Sequence, residues 1–483
     1  MSEGRTGRGA RHRLSPARRA AYEALDRIDR RRAFAQEVIA ATIDKADLSS
    51  EDRAFATRLV LGVVSMCGSL DAVLDRCMRS PRDVKPDVRR ALRISAYEAI
   101  YLGKDAHAVV DQGVELVRSV APKAAGLANA VLRKVVACRG SFPFGDPAHD
   151  LAALSLQQGF PLWLTELLVR DLGRVQAQEF EQASNDPAPV FLYENPMKVE
   201  AGQLADALSE HGGATEVPSL CGVPLSECLL LEDRRDLTQG GVADALADGR
   251  ALVSDASAQA VASLCAIAAS SKAEGRVDDV SQLVESGQKG VSDEVSVLEL
   301  CSGRGTKSIM VQGGIFRMLG RQADRYVAVD NVRFKCDLLK ERAAHFGARL
   351  DEALCAELGK GTLPIPGEFD VVLLDAPCSG LGTLRRHPEI RWRLTPDVIA
   401  ADAELDAALL AQAAGGVRRG GFLLYATCTV TREEDEDAVS RFLGSATGER
   451  FERVSVFGED FFKPTLRPGG PDAHFCAVMQ RVA

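Results

Sequence analysis

Apolar residues recur at helical spacing from Ser15 to about Arg139: Ala21, Ala24, Leu25 and Ile28 in one stretch, Val110, Val114 and Val117 in another, then Leu127, Val131, Leu132 and Val135. Spacing of this kind gathers apolar side chains on one helix face, so residues 15–140 read as an all-helical domain. Ser15-Pro16 fits an N-cap followed by a first-turn proline, and Ser49-Ser50-Glu51-Asp52 fits a helix start whose acids face the positive end of the helix dipole. The Gly and Pro between Gly140 and Pro147 break the pattern, which sets a boundary. Residues 141–250 are mixed, with a helical stretch around Trp163 to Leu172 and strand-like pieces at Val190 to Tyr193 and Leu229 to Leu231, the pattern of a small α+β connector. From 251 to 483, the apolar strands VSVLELCSG, RYVAVDN, FDVVLLDAPC and GGFLLYATCT alternate with helical segments. That alternation predicts a parallel sheet with crossover helices, an α/β Rossmann-like layout. Inside it, residues 270–294 lack aromatics and mix Ser, Gly and charge, so an exposed insertion without catalytic role is expected there.

Composition narrows the function. With 483 residues, 46% of them hydrophobic, the chain can bury full cores in two or three domains. A net charge of −9 argues against a protein that coats nucleic acid indiscriminately. Charge is uneven, however: ten arginines fall between Arg5 and Arg32, and Glu433 to Asp437 is a solid acidic run. Residues 1–14 form a basic tail, either a solvated arm or a nucleic-acid contact. The twelve cysteines lack disulfide-framework spacing, and no CxxC pair suggests a metal site, so they are expected to be reduced thiols. No apolar stretch reaches the roughly 20 residues of a membrane span, and the arginine-rich start lacks a secretory signal's apolar segment. A cytoplasmic protein with no membrane partner and no metal is expected.

The candidate chemistry gathers at strand ends. After VSVLEL comes Cys301-Ser302-Gly303-Arg304-Gly305-Thr306-Lys307, a glycine-bearing turn into a helix, where missing side chains let backbone approach a ligand. At the end of the next strand, Asp330 is placed to accept hydrogen bonds from two ribose hydroxyls, or else to cap a turn. No GxGxxG cradle or Walker lysine is present, which argues against a dinucleotide or ATP. Two further strands end in DAPCSGLGTLRRHPEIRW, Asp375 to Trp392, and YATCTVTREED, Tyr425 to Asp435, each at the strand end where ligand crevices form in open parallel sheets.

These two motifs closely resemble the NOL/NOP/Sun group of RNA 5-methylcytosine methyltransferases. In the helical domain, SSEDRAFATRLVLGVV, VRRALRISAYEAIYL and LANAVLRKVV resemble the NusB-type RNA-binding domain. Together they resemble the small-subunit rRNA members of the group, from about Ser15 to the final strand, with residues 270–294 as the main interruption. The resemblance implies a class I methyltransferase domain behind a NusB-like domain, S-adenosylmethionine as cofactor, and a cytosine of 16S ribosomal RNA as substrate, with the protein acting as a monomer. Carbon 5 of cytosine is a poor nucleophile, so a thiolate must add at carbon 6 and push electron density toward carbon 5. By resemblance Cys428 forms that covalent bond and Cys378 assists breakdown of the adduct. Asp375 stabilises the ring nitrogen that gains electron density and borders the methionine end of the cofactor. The turn from Cys301 to Lys307, with Asp330, holds the rest of it. Lys307 contacts cofactor or RNA phosphate, or is a solvated helix-start lysine, and His387 shapes its loop or contacts RNA. Cys301, Cys336 and Cys355 read as buried small hydrophobes. Arg89, Arg90, Arg93 and Arg133 either contact phosphate or solvate the bundle.

The pattern is broken in three places. The group's first motif is Ala-Pro-Gly-Gly-Lys, whereas Arg304 and Thr306 here replace Pro and Gly. Where the group carries an acid near the adenine ring this chain has Ala356, with Glu357 beside it, and Tyr193 stands where an arginine is usual. A catalytically silent RNA-binding or assembly factor that kept the fold is the competing reading, and retention of Cys378, Cys428 and Asp375 favours activity. A small-molecule methyltransferase leaves the NusB-like domain unexplained.

Overall fold

The computed structural model describes residues 14–200, 202–209, 213–238, 240–271, 275–287 and 293–483, without the side chains of Asp206, Ala207 and Ser209. All but the last residue of the basic tail lies outside them. Chain contacts divide the molecule into two units, one running to Asn185 and including Leu384–Arg393, the other comprising Asp186–Thr383 and Leu394–Ala483.

The first unit is helical. Pro16 starts the helix Pro16–Arg31, although Ser15 makes no side-chain cap, and the Ser49 hydroxyl accepts the Asp52 N–H to open Ser50–Ser65. Ala21, Ala24, Leu25 and Ile28 are buried as the spacing requires. In Ala125–Cys138 the buried face is Ala128, Val131, Leu132 and Val135, and Leu127, about 100° further round the helix, is 42% exposed rather than part of the core. The helical stretch read from sequence in the connector, here Leu162–Leu172, falls in this unit together with the helices Leu151–Gln158 and Arg174–Ala183.

So does the short segment Leu384–Arg393. Its Arg391 is fully buried, with the guanidinium 4.2 Å from the centroid of the Phe160 ring, and donates to Asn185 Oδ1 at 2.9 Å and to the carbonyls of Gln158, Gly159 and Ser184. Trp392 donates to the Ser65 carbonyl at 3.0 Å and packs on Gly68, where a Cβ would come within 2.3 Å of the indole. Glu389 accepts the Ala35 N–H at 3.0 Å and so supplies the helix Ala35–Thr42 with the cap that Phe34 cannot. His387 packs edge-on against Phe34.

The second unit opens with a small antiparallel sheet in the order Ala214–Glu216, Cys228–Leu231, Val190–Glu194, Ala251–Val253. Its last strand lies beyond the boundary read from sequence at 250. The main sheet has seven strands: β1 Ser296–Leu300, β2 Arg325–Asp330, β3 Glu352–Cys355, β4 Phe369–Asp375, β5 Val417–Thr427, β6 Phe451–Val454 and β7 Phe475–Arg481. They lie in the order β6-β7-β5-β4-β1-β2-β3, with β1 to β5 parallel and β7 antiparallel to both neighbours. This is the Rossmann-like layout the strands predict. Val371 and Leu373 enter one core, Val372 and Leu374 the other, so both faces are covered. Strand order reverses between β1 and β4, the switch point where crevices open at the carboxyl ends of strands.

The expected exposed insertion is corrected in part. Asp279 caps the helix Val280–Glu285, and Val277, Val280 and Leu283 are buried in the main core, since three apolar residues at close spacing suffice to anchor a short segment. Residues 272–274 and 288–292 lie outside the described residues.

Candidate active site

Four strand ends meet around the switch point. After β1 the chain turns through Cys301, Gly303 and Gly305, all with positive φ (59°, 59° and 75°), which only glycine adopts without strain. A Cβ on Gly305 would fall 2.7 Å from Leu339 Cγ, whereas one on Gly303 would meet nothing within 4 Å. The turn thus leaves open space above Gly303. Ser302 N–H bonds the Val329 carbonyl, anchoring the turn to β2. From the end of β2, Asp330 accepts the Gly303 and Val332 N–H groups, each at 2.9 Å, and is 3% exposed. A carboxylate has about four lone-pair positions, so two remain for a ligand's hydroxyls. An open cradle beside a partly engaged acid fits a nucleoside-bearing cofactor such as S-adenosylmethionine.

Not every expected contact faces that cradle. Arg304 is exposed, and its carbonyl and the Thr306 hydroxyl are both taken by Arg342. Ala356 N–H bonds the Asp330 carbonyl, while Glu357 turns outward to Lys360 at 2.7 Å and does not replace the missing acid. Tyr193 is buried and donates to the Met310 carbonyl at 3.2 Å, over Gly313. Of the three cysteines read as buried small hydrophobes only Cys336 is buried, and its thiol bonds the Asp330 carbonyl; Cys301 and Cys355 are half-buried, and burial pushes the Cys301 thiol up to about 12.

Across the switch point Lys307 Nζ, from the helix after β1, reaches both oxygens of Asp375, at the end of β4, at 2.8 Å. Burial disfavours its charge, but the adjacent carboxylate more than compensates and raises its pKa. Lys307 is therefore an internal cation and not a solvated helix start.

Cys378 follows β4 and Cys428 follows β5, and their sulfurs are 3.5 Å apart. Cys428 N–H also donates to the Cys378 sulfur, at 3.3 Å. The hydrogen bond from Cys378 lowers the Cys428 thiol, against burial and the charge of Asp375, with Lys307 assisting; Cys378 is driven well up by the same bond and by burial. Gly382 is wedged between the ends of β5 and β7: its N–H bonds the Cys428 carbonyl at 2.9 Å and its carbonyl accepts the Ala473 N–H at 3.2 Å.

Three features were not foreseen. The run Glu433 to Asp437 is not a solvated acidic patch, because Glu434 and Asp435 are completely buried; a run of like charge carries no signal of burial. His474 is 6% exposed and follows Cys428 in register, since Thr427 pairs Phe475. Burial and Lys307 push it down to about 4, so it stays uncharged at neutral pH. In the helical unit, Arg89 and Arg93 pair with Asp71, and Arg90 with Asp26, Asp29 and Asp87, so these three neither solvate the bundle nor stand free for phosphate. Among the described residues no group of three potential ligands could hold a metal, all twelve cysteines are free, and no single helix is long and apolar enough to cross a membrane.

Comparison with known proteins agrees with this layout. The chain matches the family model of the 16S rRNA methyltransferase RsmB/F over residues 290–467 and that of the NusB family over 15–137. A putative methyltransferase of Mycobacterium tuberculosis is 33% identical over 444 residues, 90% of this chain and 88% of the relative. Ribosomal RNA small subunit methyltransferase B of Thermus thermophilus is 30% identical over 455 residues, 93% of this chain and 94% of the relative. One crystal structure shares the fold with a TM-score of 0.72 at 21% identity, over 96% of this chain and 98% of its own.

Proposed function

Because this chain belongs to the RsmB/F family of 16S rRNA methyltransferases, which are S-adenosylmethionine-dependent, we propose that it methylates carbon 5 of a cytosine in small-subunit ribosomal RNA through a covalent bond to Cys428. The observation that carries this reading is the pair of thiols in contact at the ends of β4 and β5, one of them held toward its thiolate by the other.

The residues divide the work by their electrostatics. Cys428, with its thiol lowered, adds its sulfur to carbon 6, and the electrons of the 5,6 double bond move toward carbon 5 and the ring nitrogen. Asp375, paired to Lys307, would accept the exocyclic amino N–H beside that nitrogen and so orient the ring, while the Lys307 ammonium compensates the negative charge that gathers there in a buried setting. Asp330 and the turn from Cys301 to Gly305 would hold S-adenosylmethionine, which when bound would supply the methyl group for carbon 5. The carbon 5 proton then passes to solvent, its bonding electrons restore the double bond, and the carbon–sulfur bond breaks with its electron pair returning to Cys428. Cys378 assists this last step, its thiol being protonated and in contact with the departing sulfur. His474, uncharged, adds no second positive charge beside Lys307.

The test is nucleoside analysis of 16S rRNA incubated with the protein and methyl-labelled S-adenosylmethionine. Label in 5-methylcytidine is expected; label in another nucleoside, or none with an intact cofactor complex, contradicts the reading.

A further inference from the structure

Cys378 and Cys428 sit in two loops just past strand ends, where no ladder hydrogen bond fixes the gap between their side chains. One side chain bridges the two loops. Glu434 is completely buried, and its Oε1 accepts the backbone N–H of Ser379, the residue after Cys378, at 2.6 Å. Its Oε2 accepts the hydroxyls of Ser379 at 2.7 Å and Thr431 at 2.6 Å, with Thr429, the residue after Cys428, at 3.3 Å. Ser379 and Thr429 are also joined directly, oxygen to oxygen, at 2.6 Å. Each hydroxyl owns one proton, so of Ser379 and Thr429 one donates to Glu434 and the other donates to its neighbour. Both oxygens of Glu434 are engaged, whereas Asp435 Oδ2 and Asp406 Oδ1 nearby have no partner among the described residues. The Tyr425 hydroxyl donates to the Glu434 backbone carbonyl at 2.5 Å and pins the bridge to β5.

We propose that Glu434 is the positioning residue of the thiol pair, holding Cys378 against Cys428 through Ser379 and Thr429. The catalytic meaning of that contact rests on the function proposed above; the contact itself does not. Glu434 makes no hydrogen bond to either thiol and acts through its neighbours. Reach, more than charge, is what the geometry demands. A glutamine can turn its oxygen to the Ser379 N–H and its nitrogen to the hydroxyls, which rotate to accept, while an aspartate is one methylene short.

Diamide, a two-electron oxidant that is itself reduced to the hydrazine, joins touching thiols with loss of both thiol protons, so crosslinking of Cys378 to Cys428 reads their geometry without RNA or cofactor. In the full chain, followed by mass spectrometry of unreduced digests, Glu434→Ala and Glu434→Asp are expected to crosslink at least about tenfold more slowly than wild type, and Glu434→Gln to recover most of the rate. The kcat for methyl transfer should fall in the same order while the Kd for S-adenosylmethionine changes by no more than about twofold, since Asp330 and Lys307 lie outside the network. If Glu434→Ala does not fold, Thr431→Val, which removes one donor, should still slow crosslinking. Wild-type crosslinking in Glu434→Ala or Thr431→Val, or a Glu434→Gln as slow as Glu434→Ala, overturns the proposal. If crosslinking follows the series but Cys428→Ala still methylates RNA, the positioning role stands and the covalent mechanism falls.

Discussion

A thiol in contact with a second thiol does not titrate alone: the proton Cys378 keeps is the one that stabilises the Cys428 thiolate. Alkylation of Cys428 by iodoacetamide, which tracks the thiolate, should therefore show a pH midpoint below that of an ordinary thiol, and in Cys378→Ala that midpoint should rise, because the donor that lowers it is gone. A midpoint that stays or falls in Cys378→Ala would show that Lys307 or the solvent sets the thiolate instead. At this scale the placement of the two cysteines, Asp375 and Asp330 was legible, since each sits in a distinctive motif or at a strand end. Glu434 was not, because its burial depends on the hydroxyl and backbone N–H of Ser379, supplied by another loop, as well as on Thr431 of its own. The pairing of Arg89, Arg90 and Arg93 with aspartates was hidden for the same reason.

Elements carry the next constraint. At Gly382 a Cβ would lie 2.0 Å from the Ala473 carbonyl oxygen and 2.8 Å from that of Cys428, both backbone atoms with little freedom to yield. Gly382→Ala should thus force the ends of β5 and β7 apart, costing about 1–3 kcal/mol in denaturant titration and displacing Cys428. Stability and methyl transfer both at wild-type level would mean the wedge is dispensable. On the helix Pro16–Arg31 and the residue after it, Arg27, Arg31 and Arg32 are exposed, whereas Arg89 and Arg93 share Asp71. Replacing Arg27, Arg31 and Arg32 by Gln should flatten the slope of log affinity against log salt by roughly 0.7 for each phosphate no longer neutralised, and Arg89→Gln with Arg93→Gln should not. Equal slopes for the two sets in filter binding would remove the helix from the RNA surface. Element types were largely readable, because periodicities of 3.6 and 2 are local; the exposed Leu127 and the buried Val277, Val280 and Leu283 show where a stripe or a polar composition misleads without the packing partner.

At the scale of the whole molecule the helical unit is discontinuous in sequence: the chain leaves it after Asn185, returns for Leu384–Arg393 and leaves again. Sequence could not show this, because the allegiance of ten residues at the end of the motif from Asp375 to Trp392 is decided by what they pack against. Arg391 fills the space among the carbonyls of Gln158, Gly159 and Ser184, so Arg391→Ala should destabilise the helical unit by about 3 kcal/mol through lost packing and orphaned carbonyls. Hydrogen exchange at residues 158–160 reads that loss, and unchanged protection there would contradict it. The central claim, that Cys428 bonds the RNA and Cys378 releases it, meets its most direct test in a denaturing gel of each variant with 16S rRNA and S-adenosylmethionine. Cys378→Ala is expected to accumulate a slowly migrating, denaturant-resistant protein–RNA complex, and Cys428→Ala to form none and transfer no methyl group. An adduct that accumulates in Cys428→Ala and is lost in Cys378→Ala would reverse the two roles, and methyl transfer by Cys428→Ala without any adduct would contradict the covalent mechanism outright.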